Sequence, residues 1–246
     1  MTDAYRFDES STEQAIAYAK IYAGENYSPA METVLKVAFS EKRNLPTFRL
    51  KSSDTILLSG YMKKWVGAYL AGYNNRPSVR TGNCSGTHPD PMAKTILRAR
   101  ISGLEDNLAD KIVAGHSLLM TIENNIGELL EEYLSVKLSP LGWYCCWGST
   151  IDAVDFCKAD GSLLQIKTSD NSENSSSSRV RQGTPIGKWF RRFSRRPGVY
   201  NWKSLNRMLG RPGYVSESDF RAFAEKTIAA NPACIYIAAN HLLNRP

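Results

Sequence analysis

The chain has 246 residues, 42% of them hydrophobic, and a net charge of +7. That suits one domain, or a catalytic domain with a helical companion, and no run approaches the roughly eighteen apolar residues of a membrane span. The acidic, polar start MTDAYRFDESSTEQ is wrong for a secretory signal. Five cysteines (Cys84, Cys145, Cys146, Cys157 and Cys234) without CxxC spacing exclude structural zinc in favour of reduced core thiols in a cytosol.

The first hundred residues read as helices. Ser11 with Gln14 resembles a capping box opening a helix over Thr12–Ala23, and Pro29 suits the first turn of a second, to about Phe39. Ser53 or Asp54 caps a third, in which Ile56, Leu57, Tyr61, Trp65, Val66, Tyr69 and Leu70 recur at helical spacing, the Tyr and Trp positions as core. Asn74–Asn75–Arg76–Pro77 ends it, SVRTGNCSGTHPDP reads as a loop, and Pro91 starts a helix that breaks near Gly103.

From Asp106 to Leu138 the pattern is helical again, until Pro140 and Gly142 stop it. Three short strands are expected at Trp143–Trp147, Ile151–Cys157 and Ser162–Thr168, the last two joined by the hairpin signal Ala159–Asp160–Gly161. Thr184–Pro185 reads as a helix start, Ser216 with Asp219 caps a helix to about Ala230, and Cys234–Ala239 reads as a final buried strand. The chain thus divides into a helical region over 1–105 and an α/β region over 106–246 carrying a basic insertion at about 169–215.

The charge is concentrated. Residues 167–211 hold eleven basic side chains against only Asp170 and Glu173, with Trp189 and Trp202 interleaved. A solvated basic face is the bland reading; clustering this tight favours a polyanion partner.

The chemistry-bearing pattern lies just before. Side chains two apart on a strand share a face, so Gln165 and Lys167 point together while Ile166 packs behind. Across the hairpin, Asp155 offers a carboxylate that with the Gln165 amide oxygen can hold one magnesium ion, which needs few protein oxygens because it keeps several waters. The Lys167 ammonium can orient a nucleophilic water and offset charge on a phosphate. Asp152 competes with Asp155 for the metal role but falls on the opposite strand face unless a bulge intervenes. His88, His116 and His241 are too scattered for histidine chemistry, and no GxxxxGKS or GxGxxG turn appears.

Asp155, nine intervening residues, then Gln165–Ile166–Lys167 resembles the PD-(D/E)xK nuclease signature with Gln in the acidic slot. The element order from Asp106 resembles that superfamily's αβββαβ core, a mixed central sheet here preceded by extra helices. More narrowly, ENNIGELLEEYL (123–134), IDAVDF (151–156) and QIKTSDNSENSSSSRVR (165–181) are similar to SinI-type bacterial type II restriction endonucleases. The resemblance implies Mg²⁺-dependent cleavage of both strands of double-stranded DNA at a short G/C-rich palindrome of the GGWCC kind. It also implies a homodimer, a bacterial cytoplasmic setting and a neighbouring DNA methyltransferase gene. It assigns Asp155 to the metal, Gln165 to the acidic slot and Lys167 to catalysis, and adds a helix glutamate near the metal, Glu131 first and Glu123 second. Glu128 and Glu132 are expected to face solvent.

The run after the strand then reads as a DNA grip. Asn171, Asn174, Ser175, Ser176, Ser177 and Ser178 suit phosphate and sugar oxygens. Arg179 and Arg181 alternate and can enter one groove, where arginine reads guanine. Lys188, Arg191, Arg192, Arg195 and Arg196 would line the helix expected after Pro185, some as phosphate neutralisers. Two rivals stand beside this reading: another PD-(D/E)xK repair or structure-specific nuclease, and a non-catalytic DNA-binding protein on a nuclease-like core.

Overall fold

The structure is a computed structural model that describes residues 11–48, 57–83, 89–171 and 186–237. The expected caps at Ser53 or Asp54, together with Cys84, His88, Thr184–Pro185 and His241, lie outside them.

Three helices come first: α1 (Thr12–Ala23), α2 (Pro29–Ser40) and α3 (Leu58–Asn74). Pro29 occupies the first turn of α2, and the Ser28 hydroxyl accepts from Met31 N at 3.2 Å, so cap and fixed φ start the helix together. The capping box expected at α1 does not form: Ser11 makes no side-chain cap bond. On α3 the apolar period places Tyr61, Met62, Trp65, Val66 and Tyr69 in the core.

Helix α4 (Pro91–Arg100) is capped by Asp90 and leads into α5 (Asp106–Leu138). At 33 residues α5 is about 50 Å long. Its C-terminal half is buried through Leu129, Leu130, Tyr133, Leu134 and Leu138, and Gly142, at φ +76, turns the chain into the sheet.

Strands β1 (Trp143–Cys145), β2 (Phe156–Lys158), β3 (Leu163–Ser169) and β4 (Ile186–Arg192) form a mixed sheet in that order. The first two pairings are antiparallel and β3–β4 is parallel. The β2–β3 turn is the hairpin expected: Gly161 takes φ +86, and the Asp160 side chain accepts from Ser162 N at 2.9 Å. After the sheet come α6 (Trp202–Met208) and α7 (Glu217–Ala230), the latter capped by Ser216 through Asp219 N.

The mixed α/β class stands, with two corrections to the elements. Residues 186–192 are a strand, not the expected helix, so the fourth strand precedes α7 instead of coming after it. Cys234 ends a short 3₁₀ turn and 235–237 form no strand; 238–239 lie outside the described residues.

One hydrophobic cluster runs from α1–α3 through the sheet to α6 and α7. Trp189 and Trp202 belong to it, their rings 5.0 Å apart and their indole N–H groups donating to Asn201 O and a Glu217 carboxylate oxygen. They are core residues, so the interleaving seen in the sequence does not put their rings on the basic surface.

Candidate active site

Strand β3 outruns β2. Only Leu163 and Leu164 pair with it, so Gln165 to Thr168 continue past the end of β2 with one edge open. In place of the next ladder carbonyl, the Asp155 carboxylate accepts the Ile166 N–H at 2.7 Å. The same residue keeps the sheet's backbone pattern, receiving Cys146 N at 2.8 Å and donating to Leu164 O at 3.0 Å. Asp155 is thereby fixed by both backbone and side chain.

The expected strand over 151–157 begins only at Phe156. The chain before it turns, with Ser149 at φ 56 and Ala153 at φ 59, and Ile151 and Val154 are buried. The N-terminal helices hold this loop. Trp65 Nε1 donates to Thr150 O at 2.9 Å, and Asp152 N donates to Asn44 O at 2.9 Å. Backbones also meet directly: a Cβ on Gly72 would stand 2.3 Å from Gly148 N, and one on Gly148 would stand 2.0 Å from Ala68 O.

Together these elements enclose a cavity of about 440 Å³ lined by Gly127, Glu131, Ser149, Asp152, Asp155, Gln165, Lys167 and Thr168, among others. Of the residues expected at the centre, Glu131, Asp155, Gln165 and Lys167 all reach it. Asp152 lines it too, because the left-handed turn at Ala153 undoes the alternation that would have sent it to the other face. Glu123, two turns back on α5, is exposed and does not line the cavity.

The electrostatics are those of carboxylates withdrawn from water and set close together. Burial, reinforced by the charge of Glu131, pushes Asp155 up to about 7, against the pull of the Ile166 N–H and of Lys167. Burial raises Glu131 as well, with the charge of Glu128 adding to it. The Cys145 thiol opposes the rise, donating to Glu131 Oε1 at 3.3 Å. Gln165 lines the same cavity, and its buried Oε1 has no hydrogen-bond partner among the described residues. A hard cation suits this donor set: two carboxylates that repel without one, and an amide oxygen that lacks a partner without one. No group of three or more His, Cys, Asp or Glu residues that could hold a metal ion occurs among the described residues.

In the sequence Cys145 reads only as a core thiol. Strand alternation shows that it points inward but not that a helix glutamate meets it. One other glutamate corrects the expectation of solvent exposure: Glu132 is buried and accepts from the backbone N–H and hydroxyl of Ser78, closing the turn after α3. Glu128 keeps 40% of its side chain exposed and pairs with Arg80.

The basic residues separate into two kinds. Lys188 and Arg192 are exposed on β4, opposite Gln165 and Ser169 in the parallel register, so they extend the face that carries the cavity. Arg195 and Arg196 are exposed on the turn after the strand. Arg191 is different: it is buried, and its Nη1 lies 2.8 and 2.9 Å from the two carboxylate oxygens of Glu217, so it holds β4 to α7 and leaves the set of DNA-facing arginines. Asn171 is exposed, its side-chain oxygen accepting from the Ser169 hydroxyl at 2.8 Å. Asn174, Ser175 to Ser178, Arg179 and Arg181 lie outside the described residues.

The sequence pattern of the SinI restriction endonuclease family matches residues 57–230, from the start of α3 to the end of α7. Type II restriction enzyme SinI of Salmonella infantis is 43% identical over 144 residues, and Type II restriction enzyme Eco47I of Escherichia coli is 41% identical over 144. Each alignment covers 56% of this chain and 61% of the relative, so the chain matches somewhat under two thirds of either relative's length. The cavity, the strand pair that frames it and the helices behind it all fall inside the family match, and the chain belongs to the SinI restriction endonuclease family.

Proposed function

We propose that this chain is a type II restriction endonuclease that hydrolyses DNA phosphodiester bonds in both strands at a short palindrome, using Mg²⁺. The observation that carries the reading is the convergence of Asp155, Gln165, Glu131 and Lys167 on one open-edged cavity in a chain of this family. Asp155, Glu131 and the partnerless Gln165 oxygen would hold the metal. Bound there, the ion would supply Lewis acidity toward the phosphate and lower the pKa of a coordinated water.

The protein's own groups do the rest. Asp155 stays oriented because its second oxygen is engaged by the Ile166 N–H, leaving the first for the cavity. Lys167 places an ammonium where negative charge grows on the phosphate, and where a water proton must be oriented. Lys188 and Arg192 neutralise phosphates alongside, and Asn171 marks the start of the polar run toward the DNA backbone. A G/C-rich site of the GGWCC kind, a bacterial cytoplasmic setting and a methyltransferase to protect host sites belong to the same family reading.

The test is digestion of a sequenced plasmid. Mg²⁺ should give discrete fragments with uniform ends, EDTA should give none, and Lys167→Ala should abolish cutting while DNA binding persists. Cleavage in EDTA equal to that in Mg²⁺ would overturn the mechanism. Cutting confined to branched or damaged DNA would mark a structure-specific nuclease. Tight binding without cutting would mark a DNA-binding protein, a reading kept open by the uncharged Gln165.

A further inference from the structure

Ser149, at φ 56, and Ala153, at φ 59, are the non-glycine residues in the left-handed region among the described residues, and both line the candidate active-site cavity. An alanine there has no polar side chain to offset the clash of its Cβ. Such backbone persists only where its surroundings over-determine it, and it gathers at working sites. The surroundings here do so. Trp65 Nε1 donates to Thr150 O at 2.9 Å, and Asp152 N donates to Asn44 O at 2.9 Å. Asn44 is itself buried and fixed, its Nδ2 donating to Val37 O at 3.0 Å. What the clamped turn achieves is the placing of one side chain: Asp152, which regular alternation would send away, lines the cavity with Asp155.

The metal set proposed above does not use Asp152. With Asp155 and Glu131 it makes no cluster that could hold an ion, since no group of three such residues does so among the described residues. Hydrolysis leaves another place for it, because the attacking water must lose a proton and the other lining groups are poor takers. The Lys167 ammonium has donors and no acceptor. Asp155 accepts the Ile166 N–H with one oxygen and Glu131 accepts the Cys145 thiol with Oε1; their other oxygens are the ones assigned to the metal. The Gln165 amide and the hydroxyls of Ser149 and Thr168 are too weakly basic to hold a proton. Asp152 is the remaining carboxylate of the described lining.

We propose that Asp152 is the catalytic proton acceptor of the reaction, an inference that rests on the nuclease reading. As the water oxygen bonds to phosphorus, the bond from phosphorus to the bridging oxygen breaks. The water's proton passes to the Asp152 carboxylate, and the departing oxygen takes a proton from solvent. Asp152 then returns its proton to solvent, so the net change is one water added across one P–O bond.

Asp152→Asn keeps the shape of the side chain and the backbone N–H that bonds Asn44, and removes the base. With saturating Mg²⁺ and a duplex carrying the site found by plasmid digestion, kcat should fall by about a hundredfold or more, with KM not rising and the melting temperature held. Mg²⁺ affinity, read by calorimetry, should stay that of the parent. In EDTA, where nothing is cut, the same variant should bind the duplex about threefold more tightly, because one negative charge facing the phosphate is gone. Asp152→Ala opens room for a small carboxylate, so added formate should restore cutting, a rescue that a structural role would not give. Asp152→Asn cutting like the parent overturns the proposal. So does a loss of Mg²⁺ affinity together with activity, which makes Asp152 a metal ligand, and so does a folded Asp152→Ala that gains nothing from formate. In each of those cases the parent still cuts and this proposal fails alone; a parent that cuts no DNA brings down the nuclease reading itself.

Discussion

In the proposed metal site, the amide of Gln165 is the unusual donor. It contributes an oxygen but no charge, so the negative charge offered to the ion comes from Asp155 and Glu131, with Asp152 on the same lining. Gln165→Glu should tighten Mg²⁺ binding, read by calorimetry, while Gln165→Leu keeps the volume, removes the oxygen and should weaken it by an order of magnitude or more. Asp155 sets the pH dependence. Its folded value is raised from 3.8 to about 7, so between those values the folded metal-free state holds a proton that the unfolded chain does not. Its contribution to stability is therefore complete below the unfolded value and is lost as pH rises through about 7. In EDTA the melting temperature should fall over that window. With Mg²⁺ present the fall should flatten, and metal affinity should itself rise with pH as the proton is displaced. A melting curve indifferent to pH from 5 to 8 in both conditions would contradict the shared-charge description of the site.

At the scale of elements, Glu217 at the start of α7 is the joint between the sheet and the two helices after it. Its carboxylate takes Arg191 from β4, Trp202 Nε1 from α6 at 3.0 Å and Arg221 at 3.1 Å from its own helix. The Arg191 and Glu217 side chains are only 9% and 16% exposed, so Glu217→Ala leaves a buried guanidinium unpaired and should cost about 3–5 kcal/mol in urea unfolding. The same pair explains what the sequence hid. Strand β4, IGKWFRR, has inward Trp189 and Arg191 at period two, but an arginine in an apolar slot reads as surface unless its partner is known. Glu217 lies 26 residues on. In the sequence alone the run therefore reads as the exposed side of a helix. The long helix, the hairpin and the Asp155, Gln165 and Lys167 placement were legible because each is local: a period, a turn residue, a spacing. The place of Asp152 was not, because it depends on a left-handed Ala153 that no composition signal marks. The Cys145 to Glu131 contact was not, because it joins two elements whose packing is tertiary.

For the whole molecule, the charge map says how DNA would be approached under the proposed function. The exposed cations Lys188, Arg192, Arg195, Arg196, Lys203, Arg207 and Arg211 lie on β4 and the elements after it. Each phosphate contact adds about −0.9 to the slope of log K against log salt. The double variant Lys188→Ala, Arg192→Ala should make that slope shallower by about 2, in anisotropy titrations of a duplex, without changing site preference. An unchanged slope would move the DNA track off β4. The helical region expected over 1–105 enters the same picture from behind, since its residues share the core cluster and touch the loop that carries Asp152 and Asp155.

That contact is made where two glycines meet, and hydrogen is the largest substituent either can carry. In a library of every single substitution selected for cleavage, Gly72 and Gly148 should come out as blank columns, as intolerant as the metal ligands though neither has a functional group. Neighbouring surface positions on the same helix, such as Lys63 and Lys64, should accept nearly anything. A tolerant column at Gly148, which also needs φ +68, would mean the loop finds its place by some other support.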